Sequence, residues 1–163
     1  MFGRIPATQD PRPRNRFDVP DHQQTLLALA SDKETPYTLV QLACKRDPHV
    51  NVTYADYRNR YLVTQLISAM YSERLNELKE QADPPLLMAM SYYGSLGTRE
   101  KDAFQTAGVV SETGIERGIQ TLIMENERVI RHGFTQGELD RQKKSLLTRY
   151  ENLFNERDKT ESQ

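Results

Sequence analysis

Apolar and polar positions follow two different periods along this chain, and the points where the period switches divide it into elements. Residues 25–31 (TLLALAS) and 37–45 (YTLVQLACK) are short runs rich in apolar and β-forming side chains, parted by the polar stretch DKETP. That arrangement predicts a β-hairpin with one covered face. From Thr53, which suits an N-cap with Asp56 three residues on, the spacing changes to three and four. Val63, Leu66, Ile67, Met70, Tyr71, Leu75 and Leu78 form one stripe of a helix over 54–81. Pro84 and Pro85 stop it, because proline lacks the amide donor and clashes with the preceding turn.

Residues 86–94 (LLMAMSYYG) and 103–111 (AFQTAGVVS) are again strand-like and are joined by the polar turn SLGTREKD. A helix follows Gly114, with Ile115, Ile119, Leu122, Ile123, Val129 and Ile130 on its stripe. The stretch RHGFTQGELD then both ends a helix and begins one. Gly133 suits the left-handed end of a helix, with Arg131 and His132 in the last turn. Thr135 and Glu138 make a T-x-x-E capping box for the next helix, whose stripe is Leu139, Leu146, Tyr150, Leu153 and Phe154. The predicted order is ββαββαα. Short connections between strands imply an antiparallel sheet of about four strands, and three amphipathic helices on one face make an α+β two-layer sandwich.

Residues 1–24 stand apart. They hold Pro6, Pro11, Pro13 and Pro20, half of the eight prolines, together with Arg12, Arg14 and Arg16. This reads as an extended lead-in that connects rather than binds, since no aromatic platform accompanies the arginines. The single domain is expected over 25–156, with a polar tail at 157–163. The whole chain carries 22 basic and 23 acidic residues, a net charge of −1. That balance supplies no attraction toward nucleic acid or an anionic membrane, and no run approaches the ~18 apolar residues of a span.

Candidate chemistry is sparse. His22, His49 and His132 are never four residues apart, so no helical pair of imidazoles is available to grip a metal. Cys44 is the only cysteine and sits in a strand beside Leu42, where packing as a small hydrophobe is expected. Gly94 and Gly97 lie between two strands and read as a hairpin turn rather than a phosphate loop. Glu125, Glu127 and Glu138 read as exposed or capping positions. No catalytic, cofactor-binding or metal-ligating residue is singled out.

Gly133, Phe134, Thr135, Glu138, Leu139 and Lys143, set between two helices, resemble a motif of the insulinase/pitrilysin family of zinc metallopeptidases. LISAMYSERLNEL (66–78) followed by PPLLMAMSYYG resembles the long helix and next strand of the same domains, and YENLFNERDKTES resembles the tail of their final helix. The resemblance runs from about residue 17 to the end. It implies the repeated two-layer α+β domain of that family. The chain contains no H-x-x-E-H, so it resembles the second, chamber-forming domain of the first half rather than the zinc-bearing one. An Arg and a Tyr that assist the reaction in second-half domains would fall on Lys79 and Leu86, so that role is not implied here.

The resemblance further implies a parent zinc endopeptidase whose metal activates water while a glutamate moves protons, with those groups upstream of this chain. The implied partners are the rest of the same polypeptide and peptide substrates, with strand 86–93 as the peptide-contacting surface. The family's domain also opens with a strand and helix that do not appear here, so an incomplete sheet with an exposed, association-prone edge is expected. Alternatives of other kinds are a homologue without the metal motif, serving as a structural subunit, and a base-stacking module on a ferredoxin-like sheet. Tyr92 and Tyr93, being adjacent, should point to opposite faces, which disfavours the last.

Overall fold

The structure, a computed structural model, describes residues 12, 13, 15, 17–49, 53–157 and 159. Most of the Pro/Arg-rich lead-in, including Arg14 and Arg16, and most of the polar tail lie outside the described residues. The elements are β1 (Thr38–Arg46), α1 (Tyr54–Glu77) continued by a short 3-10 turn (Leu78–Glu80), β2 (Met88–Ser95), β3 (Asp102–Val110), α2 (Ile115–His132) and α3 (Gln136–Glu156). The fold is α+β, with one antiparallel sheet in the order β1-β3-β2.

Residues directly opposite one another in antiparallel strands share a face. The pairs Val40↔Gly108, Leu42↔Thr106 and Cys44↔Phe104 on one side of β3, with Ala89↔Gly108, Ser91↔Thr106 and Tyr93↔Phe104 on the other, therefore place these residues on the helix side. Leu39, Gln41, Met88, Met90, Tyr92, Gln105 and Ala107 make the opposite face. The core is Val40, Tyr71, Leu75, Leu86, Val110 and Leu122, with Leu42, Ala89, Phe104, Ile119 and Val129 packed around it.

Two glycines let the layers approach closely. A Cβ on Gly118 of α2 would lie 2.4 Å from Val110 Cγ1 and 3.3 Å from Val40 Cγ2, so α2 rests its backbone on the sheet. A Cβ on Gly108 would lie 2.7 Å from Leu86 Cδ2, so Leu86 fills the space above β3. A polar thread crosses the same core. The Tyr71 hydroxyl donates to Asn126 Oδ1 at 2.9 Å, and Asn126 Nδ2 donates to Thr106 Oγ1 at 3.4 Å. Tyr71 also stacks on Phe104, and burial pushes its hydroxyl pKa upward.

Residues 25–31 do not form the expected strand. They have no regular structure, and Leu26, Leu27 and Leu29 are 69%, 90% and 89% exposed. Apart from Thr25 the run consists of Leu, Ala and Ser, with no β-branched or aromatic residue to favour the pleated conformation. The sheet of the described residues thus has three strands rather than about four. The other strands lie within two residues of their expected ends. The long helix leaves α geometry at Glu77 and finishes as a 3-10 turn before Pro84 and Pro85.

The helical stripes are shorter than their spacing suggests. Val63, Ile123, Ile130, Leu153 and Phe154 fall on the predicted apolar faces yet are exposed. The third helix explains part of this: α3 packs along α1 rather than centrally over the sheet. Both ends of the chain in this layer, the start of α1 and the finish of α3, are exposed to solvent.

Candidate functional site

The joint between α2 and α3 is cross-connected by polar groups from three helices. Gly133 ends α2 with φ +64 and ψ −149, outside the left-handed helical region that the sequence pattern suggests but in a positive-φ conformation open to glycine. Thr135 caps α3, with its hydroxyl receiving the Glu138 amide, while Glu138 Oε2 accepts the Thr135 backbone N–H at 2.6 Å. The sequence pattern is silent on the next partner. Arg74 of α1 grips Glu138 through both carboxylate oxygens, with Nη2–Oε2 at 2.8 Å. The same Nη2 donates to the Gly133 carbonyl at 2.9 Å, and the guanidinium lies 4.8 Å from the centre of the Phe134 ring. Arg74 therefore ties α1 to both halves of the joint.

The Arg74 guanidinium, helped by the Thr135 amide and hydroxyl, holds the Glu138 carboxyl down to about 2, although burial opposes this. Since this pKa lies below its ordinary value, the stabilisation is present in full above about pH 4.5 and is lost as pH falls toward about 2. Acid unfolding followed by circular dichroism should steepen in that window, and Glu138→Gln should flatten the curve there. Superimposable curves for the two proteins would contradict this account of the joint.

A polar hollow of about 320 Å³ opens beside the pair, lined by Arg74, Glu77, Gln81, Glu125, Arg128 and Glu138 among others. Glu125 is not the solvated side chain that its spacing suggests, being only 13% exposed with Arg128 Nη1 3.6 Å away. This cluster sets two arginines, Arg74 and Arg128, against three glutamates, Glu77, Glu125 and Glu138.

The remaining sequence candidates scatter. His22, His49 and His132 are all exposed and sit on separate segments. Among the described residues, no three His, Cys, Asp or Glu side chains come together to hold a metal. Cys44 is exposed rather than packed in the core. Gly97 has φ +72 in the β2–β3 connection, which makes it a turn residue. Tyr92 and Tyr93 do point to opposite faces: Tyr92 is exposed on the open face, while the Tyr93 hydroxyl donates to Asp102 at 3.0 Å. Lys79 is exposed, and Leu86 is completely buried, so neither stands where a catalytic Arg or Tyr would act.

What remains is the sheet itself. Its open face exposes Leu39, Met88, Met90 and Tyr92, an apolar strip that crosses from β1 to β2. The free edge of β2 is less available than the sequence implies. Ser72 of α1 places its hydroxyl 2.9 Å from the Ser91 N–H and 3.3 Å from the Ser91 carbonyl, which occupies both backbone groups at mid-strand. A strand adding there would have to displace Ser72.

No family model matches the sequence, and no curated protein matches it. A solved structure does. The fold is similar to that of the periplasmic protease PqqL from Escherichia coli, with a TM-score of 0.64 at 18% sequence identity. The likeness covers 80% of this chain and 14% of that one, so the chain spans a small part of the protein it matches. At that identity the comparison shows a shared fold.

Proposed function

We infer that the chain is a non-catalytic, chamber-forming domain of a zinc-dependent metalloendopeptidase that hydrolyses peptides. The observation that carries this reading is the fold likeness to a protease over most of this chain and a small part of the other. It agrees with the ordered resemblance of the Gly133–Lys143 joint, the 66–94 region and the final helix to insulinase/pitrilysin domains. Among the described residues the three histidines lie apart, and no three His, Cys, Asp or Glu side chains come together as a ligand set. The metal, which polarises a scissile carbonyl and acidifies water when bound, belongs in this reading to another part of the parent protein.

The peptide-contacting surface is the open face of β2, through Met88, Met90 and Tyr92. The β2 edge is the poorer surface, because Ser72 already occupies Ser91. Apolar side chains on a flat strand suit an extended substrate of mixed sequence, whose contacts need little specificity. The test uses the full-length parent and a quenched-fluorescent peptide. Cleavage that stops with a chelator and returns with zinc is the expected result. A full-length protein that binds peptide yet cleaves none would instead identify the structural-subunit homologue.

A further inference from the structure

The residues that fail to form a strand are nonetheless held beside one. At one end, Lys45 Nζ donates to the Pro20 carbonyl at 2.6 Å, and Lys101 Nζ lies 3.0 Å from Asp21 Oδ1. At the other end, the Thr35 N–H donates to the Asp32 carbonyl at 3.3 Å, and the Glu34 N–H to Asp32 Oδ1 at 2.8 Å, closing a turn just before β1. Residues 22–31 thus return antiparallel to β1, from the Lys45 end toward the Thr38 end. They are pinned at both ends and unpaired between.

β1 presents a matching edge. Ser91 points its backbone groups away from β3, so Ser91↔Thr106 is a non-hydrogen-bonded pair and Thr106 directs its own groups toward Leu42. By alternation, the N–H and C=O groups of Leu39, Gln41, Ala43 and Lys45 point outward, and no backbone partner meets them among the described residues. From Thr38 to Lys45 a strand covers roughly 23 Å at about 3.3 Å per residue. Residues 22–31 can stretch to roughly 33 Å, so the length suffices.

An apolar surface waits above that edge. Glu125 of α2 lines the hollow shared with Arg74 of α1. At 100° per residue, Ile119, Ile123 and Ile130 lie on the opposite flank of α2, the side toward β1. Ile123 and Ile130 are exposed there, as are Leu26, Leu27 and Leu29 on the tethered segment.

We propose that residues 25–31 are a strap that closes on the outer edge of β1 as a fourth strand; its side chains alternate, so Leu27 and Leu29 share one face and Leu26 the other, and one of these two sets is buried against the Ile123 flank of α2. Closure satisfies the outward backbone groups of β1 and removes the only sheet edge that no side chain of the described residues blocks. This inference is independent of the peptidase reading. It concerns an edge and a segment that the proposed peptide surface does not use.

Residue-resolved amide exchange on the full chain tests it, with variants Leu26→Pro and Leu27→Pro. In an antiparallel ladder alternate amides face the partner, so one of the two prolines deletes a donor and the other is tolerated. The Leu39, Gln41, Ala43 and Lys45 amides should be protected in the native chain at every protein concentration. One proline variant should speed their exchange about tenfold while leaving Leu42 and Thr106 unchanged. Unprotected outward amides in the native chain, or protection unaltered by both prolines, would overturn the proposal. Protection that grows with protein concentration would also overturn it, since a second copy would then be supplying the strand.

Discussion

Arg74→Met should lower the unfolding free energy by about 3 to 5 kcal/mol, the usual cost of removing one partner from a buried ion pair. Methionine keeps most of the side-chain volume, so the loss reports the guanidinium rather than a cavity. It strands Glu138, which is 8% exposed, and it frees the Gly133 carbonyl and the face of Phe134. The Glu138 carboxyl should return toward ordinary acidity, since the Arg74 contact is the largest cause of its depression. Adding Glu138→Gln to Arg74→Met should recover part of the lost stability, because the stranded charge is then gone. Urea denaturation of the three proteins measures this. A loss below about 1 kcal/mol would place the pair among ordinary surface bridges and remove Arg74 from the centre of the joint.

Leu86→Ala should cost about 2 to 5 kcal/mol, as for other fully buried leucines whose surroundings collapse only partly. Leu86 sits between the Gly108 backbone of β3 and the Gly118 backbone of α2, where neither neighbour has a side chain to move into the gap. The same geometry sets a coupling. Gly108→Ala alone places its methyl 2.7 Å from Leu86 Cδ2 and should destabilise, but in the Leu86→Ala background that clash disappears. The double variant should therefore be more stable than the two single losses predict. Thermal and urea unfolding of the cycle decide it. Strict additivity would mean that Leu86 does not fill the space over Gly108.

These two positions show what the sequence could and could not reveal. The hairpin of β2 and β3, the long helix and the α2–α3 joint are legible because each is written in local chemistry: β-forming runs around a polar turn, a Thr53–Asp56 box, and Gly133 followed by Thr135 and Glu138. Arg74 is invisible in that way. Its partner is 64 residues distant, and an arginine on a helix has no local signature of pairing. Glu125 escapes for the same reason, as its burial depends on how α1 meets α2.

Cys44 and residues 25–31 fail in the opposite direction. Both carry composition that favours burial, yet Cys44 is exposed and residues 25–31 lie unpaired beside β1 with their leucines in solvent. The candidate site was legible only as a shortage. The sequence offers three isolated histidines and one cysteine as candidates, whereas the apolar strip of Leu39, Met88, Met90 and Tyr92 emerges only once strand register is known. The Ser72 block on β2 depends on tertiary contact and leaves no trace in the strand's own residues.

The central claim is that this chain contributes fold and surface to a peptidase while holding none of its reactive groups. The most direct measurement is the metal content and peptide turnover of the purified chain, dialysed against zinc and assayed with a quenched-fluorescent peptide. The account predicts substoichiometric zinc and no cleavage above the uncatalysed rate. One bound zinc per chain, with cleavage that a chelator abolishes, would contradict it.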